Sequence, residues 1–318
     1  MTSHEVNQAV SAVDGIEELM PPVPGLRRVH GKGVCYDGVF VSHGTCAPYT
    51  TAAHLAQGAR TPVVVRFSNG RSATAPDGSK GGRGMAVRFL LPDGTSTDLI
   101  GLNSPTFFAA TPGQLLELIA TLKPDPITGV PDQERFAAFF RAHPGSLTAI
   151  QRGGESPTPV SYATLAYWAV HAFGWVSADG VRRHVKYRWE PEAGIRHLSE
   201  EEAAAMPADF LDDELRDRVG KETVRLTLLV QFAQDGDPTD DPTVEWPADR
   251  EEIVAGHLEL TGRSDDQEEW ERAVFDPTNL TPGIERSDDP LLAIRHHAYA
   301  VSHQRRIRER GAAPRTAG

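Results

Sequence analysis

Cysteine is scarce in this chain: Cys35 and Cys46 are the only two among 318 residues. Separated by ten residues, they match neither a disulfide framework nor a zinc pattern, and both read as reduced structural thiols. Long apolar runs are missing as well. No stretch approaches the ~20 residues that a bilayer span requires, so no membrane partner is expected. The amino terminus carries Glu5, Asp14, Glu17 and Glu18 and no basic-then-apolar leader, which makes the cytoplasm the expected location. Positive charge is in deficit. A formal net charge of −12 argues against a nucleic-acid partner held by phosphate neutralisation. No repeat with a period of roughly 20 to 50 residues is visible, which excludes a solenoid.

What is present suits a folded globular protein. Hydrophobic residues make up 39% and charged residues 24%, and a chain of this length can bury a sizeable core as one large domain or two smaller ones. Residues 1–25 read as an arm or docking helix ending in the breakers Pro21-Pro22-Val23-Pro24-Gly25. A β-rich stretch follows to about residue 108. It includes the strand candidates Val63 to Phe67 and Met85 to Leu91, the turn Pro92-Asp93-Gly94, and a further strand around Asp98 to Gly101. Ser68 to Gly84 reads as a surface loop. Helical spacing marks Gln114 to Leu122, Asp132 to Ala142 and Tyr162 to Phe173. Strands return at Val181 to Trp189, Val224 to Phe232 and His257 to Thr261, with Glu200 to Val219 as a charged helical insertion. Strands on both sides of a helical block predict an α+β protein: an antiparallel β-barrel with inserted and flanking helices.

Ser287-Asp288-Asp289-Pro290 is a helix-start signal, and a helix is expected over Leu291 to Arg308. Along it, Arg295, Tyr299, Ser302 and Arg306 fall at steps of four, three and four and so share one face. Such a stripe is often plain surface. Its chemical alternative is a tyrosine whose oxygen receives hydrogen bonds from Arg295. A phenol titrates near ~10, but an adjacent guanidinium and a ferric ion both favour phenolate. The basic run Arg305 to Arg310 reads mainly as a solvated helix end. Gly81-Gly82-Arg83-Gly84 leads into a strand rather than a helix, which excludes a phosphate loop. His296 and His297 read as ordinary helix residues, and Trp168, Phe173, Trp175 and Trp189 as core.

Arg295-His296-His297-Ala298-Tyr299, with Arg306 seven residues on, resembles the proximal-ligand helix of haem catalases. The resemblance recurs in order along the chain. Arg27-Arg28-Val29-His30-Gly31-Lys32-Gly33 is similar to the distal-histidine segment. Pro62 to Ser68 and Gly82 to Phe89 are similar to the two strands that follow, and Asp98 to Phe108, with Asn103 inside it, to the distal-asparagine segment. Five segments in one order identify the chain as resembling the catalase superfamily over about residues 24 to 310. Phe275-Asp276-Pro277 and Gly283-Ile284-Glu285 make the short catalase-related peroxidases the better likeness. Departures are Gly31 where alanine is usual, Ala300-Val301-Ser302 in place of Pro-Asp-Thr, and no second aromatic after Phe108 at the spacing expected for stacking on haem.

The resemblance implies a catalase-type barrel in one haem-binding domain over 26–310, with an arm at 1–25 and a flexible tail at 311–318. It implies haem b as cofactor, Tyr299 as the iron ligand and Arg295 as support for its charge. His30 is then the distal acid/base, Asn103 a distal hydrogen-bond donor, Ser68 the group that orients His30, and Phe108 a wall of the distal pocket. Arg27, Arg66 and Arg306 would neutralise the haem propionates, since a planar fork suits a carboxylate. The implied partners are a peroxide and a small organic reductant, with a homodimer as one assembly option. A chain ending soon after the ligand helix is expected to leave wide access to the haem, which favours peroxidase over catalase. The other readings carried are a true small catalase, a hydroperoxide isomerase resembling allene oxide synthases, and a non-enzymatic haem carrier or sensor.

Overall fold

The computed structural model describes residues 3–312. Its nine strands are β1 (Lys32–Ser42), β2 (Arg60–Asn69), β3 (Arg83–Leu90), β4 (Ser96–Leu102), β5 (Tyr167–Val176), β6 (Arg182–Pro191), β7 (Val224–Phe232), β8 (Glu252–Arg263) and β9 (Ile284–Arg286). Antiparallel pairing runs β4-β3-β2-β1-β8-β7-β6-β5, and Leu102 pairing with Trp168 joins β4 to β5 and closes eight strands into a barrel. The short β9 pairs with the far end of β5, from Phe173 to Trp175.

Alternation explains several of these strands, β7 most clearly. In β7, Val224, Leu226, Leu228, Val230 and Phe232 are buried and take every second position. Opposite strands fill the interior with rings: Phe40 meets Phe89 edge-on at 5.4 Å and Trp189 at 6.0 Å. Cys35 and Cys46 are free and buried, and burial pushes their thiols up to about 12 and about 11, so neither is a ready nucleophile.

Eight helices surround the barrel: α1 (Ser3–Leu19), α2 (Pro112–Leu122), α3 (Gln133–Ala142), α4 (Pro144–Gly154), α5 (Glu200–Ala205), α6 (Phe210–Lys221), α7 (Gln267–Arg272) and α8 (Pro290–Ala312). The barrel with inserted helices is as expected, but one element is not. Tyr162 to Phe173 reads as a helix and is instead a single 3-10 turn, Tyr162–Thr164, followed by β5. The run Tyr167 to Trp175 is buried on both faces except at Trp168, so its apolar period carries no strand signal. The charged insertion also splits in two, because Pro207 breaks it between α5 and α6. Residues 313–318 of the expected tail lie outside the described residues.

The barrel encloses a titratable group that sequence reading passed over. His54 is fully buried against Phe89 (ring centroids 4.5 Å) with Nδ1 unpartnered, and burial pushes it down to about 3. An unfolded histidine binds its proton near ~6.5. Between those values the unfolded chain binds more protons, so stability falls as pH drops through that window. His54→Phe should therefore lose less stability than the parent between about pH 7 and about pH 4.5. Thermal unfolding of both proteins at the two pH values checks this; equal losses would show that His54 contributes nothing.

Candidate active site

Asp289 precedes α8, and its Oδ1 accepts the backbone N–H groups of Leu291 (2.8 Å) and Leu292 (3.3 Å), capping the helix. Its other oxygen, Oδ2, lies 2.6 Å from His171 Nδ1 on β5. Arg295 Nη1 lies 2.9 Å from His171 Nε2, and Arg295 Nη2 donates to the Tyr299 hydroxyl. Arginine can only donate, so Nε2 accepts and Nδ1–H donates to Asp289: a neutral imidazole of one tautomer. Burial of His171 lowers its pKa and keeps it neutral. The chain Asp289–His171–Arg295–Tyr299 thus aims a guanidinium at the phenol oxygen and fixes it through a buried carboxylate. Arg295 also lies over the Tyr299 ring, 5.2 Å from its centroid.

On the other side, His30 sits just before β1 with φ 56°, a left-handed backbone that a non-glycine residue adopts only at a cost. Its Nδ1 is 3.0 Å from Ser68 Oγ on β2, and Ser68 in turn donates to the Gly84 carbonyl (3.5 Å). That arrangement makes Nδ1 the protonated nitrogen and leaves Nε2 with a lone pair. Gly84 is required here: a Cβ on it would lie 2.7 Å from Ser68 Oγ and 2.9 Å from His30 Nδ1. Gly31 likewise has no room for the usual alanine, since a Cβ would meet the Arg27 carbonyl at 2.9 Å. Burial, then the guanidiniums of Arg66, Arg295, Arg83 and Arg27, push His30 down to about 3.

Asn103 follows β4. Its Oδ1 accepts from the Arg83 backbone N–H (2.7 Å), and its Nδ2 donates to Ser156 Oγ (2.8 Å), which leaves one amide hydrogen for another acceptor. Arg83, fully buried, donates to the carbonyls of Asp77 and Ser79 (both 2.8 Å), Gly81 (3.0 Å) and Gly82 (3.1 Å), and so holds the loop before β3. Phe108 stacks on Phe107 (4.0 Å) and packs against two buried clusters, one that includes Leu291 and Ile294 of α8 and one that includes Leu118 of α2. These contacts place it against the helices, and none of them is with His30.

Arg27, Arg66 and Arg306 converge on one segment, residues 270–273. Arg27 donates to the carbonyls of Trp270 (3.1 Å) and Ala273 (2.9 Å). Arg306 donates to those of Glu271 (2.6 Å), Arg272 (3.1 Å) and Ala273 (2.9 Å). These include the carbonyls that the last turn of α7 leaves unpaired. The Glu271 carboxylate accepts from Arg27 and from Arg66 Nε (2.6 Å), and Arg66 Nη2 also reaches the His30 carbonyl (3.0 Å). Burial pushes Arg27 down to about 9 and Arg306 to about 10. The basic run at the end of α8 is thus a solvated helix end only in part, at the exposed Ile307 and Arg308. Arg306 is buried, and Arg305 pairs with Asp14 (2.5 Å) and Glu17 (2.8 Å) of α1.

Three functional candidates escaped the sequence reading. His171 had a signal, a lone histidine in an apolar strand. Asp289 was visible only as a cap. Glu271 had none, because Gln267-Glu268-Glu269-Trp270-Glu271-Arg272 looks like any exposed acidic helix.

A closed antiparallel barrel with a Tyr–Arg pair on its last helix and a His–Ser pair beside β1 and β2 defines the class. The catalase family's sequence model matches residues 22–312, and the chain belongs to the catalase family. Two relatives named catalase-related peroxidase are similar along most of their length. The one from Synechococcus elongatus is 34% identical over 304 residues, 95% of this chain and 88% of that protein. The one from Mycolicibacterium paratuberculosis is 36% identical over 294 residues, 92% of each. Among solved structures, a fungal and a bacterial catalase superpose with a TM-score of 0.77 each, at 25% and 27% identity over 90% of this chain. The chain spans 60% and 58% of those two proteins.

Proposed function

We propose that this chain is a haem-dependent peroxidase that reduces hydrogen peroxide or an organic hydroperoxide with a small organic donor. The observation that carries this is the pairing of His30, whose Nδ1 is held by Ser68 so that Nε2 is free to take a proton, with a Tyr299 oxygen addressed by a buttressed Arg295. Similarity to two catalase-related peroxidases supports it.

The residues fit a haem. Arg27 and Arg66 share one carboxylate, Arg306 meets only backbone carbonyls, and Arg306 Nε is buried without a partner, so positive charge is left over for an anion. In this reading Arg27, Arg66 and Arg306 take the propionates of haem b, Tyr299 binds its iron, and Arg295 holds the phenol as phenolate. The haem, when bound, supplies a ferric centre that accepts peroxide and stores its oxidising equivalents. His30 Nε2 takes the proton from the near oxygen of peroxide and returns it to the far one, which leaves as water. Ser68 keeps the ring turned for that transfer, and Asn103 offers its remaining amide hydrogen to the departing oxygen. Phe108 walls the pocket from the side of α2 and α8, the helices it packs against. The working unit is residues 26–310, and its setting is the cytoplasm; no helix among the described residues is long and apolar enough to cross a membrane.

Oxygen evolution and oxidation of a phenolic dye, measured on one haem-loaded preparation, test the assignment. Dye turnover is expected with hydrogen peroxide and also with a bulkier hydroperoxide. Vigorous oxygen release with no dye turnover and no response to the bulky hydroperoxide would make this a true catalase. Inertness to both peroxides would leave a haem carrier.

A further inference from the structure

We propose, on the strength of the haem reading above, that Glu271 sets the charge of the arginine cradle: it holds Arg27 and Arg66 in place and leaves the cradle dicationic, matched to a macrocycle with two carboxylates. Three guanidiniums meet at residues 270–273, and one carboxylate lies among them. Three charges of one sign less one of the other leaves two. The neighbouring cations Arg28, Arg305 and Arg310 are matched in number by the carboxylates Asp14, Glu17 and Glu309. Arg28 is bonded to Glu17 (2.5 Å) and Glu309 (2.5 Å), Arg305 to Asp14 and Glu17, and Arg310 donates its Nε to the Gly25 carbonyl (2.8 Å).

Burial makes the count matter. The side chains of Arg66, Arg27 and Glu271 are 4%, 14% and 18% exposed, so water screens their charges poorly. Burial alone would favour a neutral Glu271, yet Arg66 and Arg27 hold its carboxyl below the ordinary value, so it stays ionised. Removing that charge leaves three guanidiniums repelling one another in the empty cradle. The same removal strengthens the pull on a dianion. Glu271 therefore stabilises the haem-free protein and weakens the grip on haem, two effects of opposite sign. A carboxylate acting only as a staple between α7 and the barrel would strengthen both.

The experiment compares the full-length parent with E271Q, which keeps the shape and loses the charge, and with E271D, which keeps the charge. Haem-free protein is followed by thermal unfolding, and haem-loaded protein by the rate of haem transfer to excess apomyoglobin at low and high salt. E271Q is expected to unfold at lower temperature when haem-free yet to release haem about tenfold more slowly at low salt, with the difference shrinking as salt screens the cradle. E271D should resemble the parent in salt dependence; should E271Q not fold, a salt dependence of haem release that changes with E271D would overturn the proposal and an unchanged one would uphold it. Faster haem release from E271Q, or release unchanged at every salt, would overturn it while leaving haem binding intact. A parent protein that holds no haem would overturn the haem reading, and this proposal with it.

Discussion

Tyr299→Phe should leave purification nearly free of haem. The substitution removes the oxygen that accepts from Arg295 Nη2 and leaves that nitrogen without an acceptor, while Nη1 stays held by His171 and Asp289. Loss of an anionic iron ligand is worth several kcal/mol, and each ~1.4 kcal/mol is a factor of ten in retention, so occupancy below about a tenth of the parent is expected. The check is haem per chain, from absorbance after desalting, with far-ultraviolet circular dichroism to show that the barrel persists. Folding should survive, because Tyr299 lies on a helix whose anchoring residues Leu291, Leu292 and Ile294 are untouched and buried. Full haem occupancy with an unchanged spectrum would place the ligand elsewhere.

His30→Ala should keep its haem and cut peroxide cleavage by ~10²–10⁴-fold, the usual contribution of a positioned acid/base group. Stopped-flow mixing with hydrogen peroxide measures it, and unaltered rates would remove His30 from the chemistry. Asn103→Ala should cost less, because it removes a hydrogen bond and leaves the proton carrier in place. The parent carries a pH signature as well. His30 works as a base only when neutral, and its environment holds it neutral down to about 3. The cleavage rate should therefore stay level from pH 7 down to about pH 4, where an ordinary histidine would already have been silenced below ~6.5. A decline centred near ~6.5 would mean that burial and the surrounding guanidiniums do not hold the ring neutral.

Much of this was legible from residues alone. Local rules suffice for a capped helix after Ser287-Asp288-Asp289-Pro290 and for a polar stripe at three-and-four spacing, because a helix repeats within a few residues. Alternation located β7, since one of its faces meets the core and the other does not. The two thiols were read as structural, and burial agrees. The same local rules failed over Tyr162 to Phe173. A strand buried on both faces is apolar at nearly every position, so a three-to-four spacing can be found in it as easily as any other, and it looked helical.

The resemblance named residues but not their neighbours. Arg27, Arg66 and Arg306 were each identifiable, yet their common partner, Glu271, sits in a helix with an unremarkable acidic sequence. No sequence rule brings positions 27, 66, 271 and 306 together; barrel closure and the packing of α7 and α8 do so. His171 and Asp289 are likewise 118 residues apart and meet only because β5 passes the start of α8. The sequence by itself determined which residues are able to carry charge, protons and a phenol oxygen, because side-chain chemistry is local. Tertiary structure alone decided which of them are buried, which tautomer His30 and His171 adopt, and how many charges remain uncompensated, because desolvation and Coulomb energy depend on what surrounds a group and not on its place in the chain.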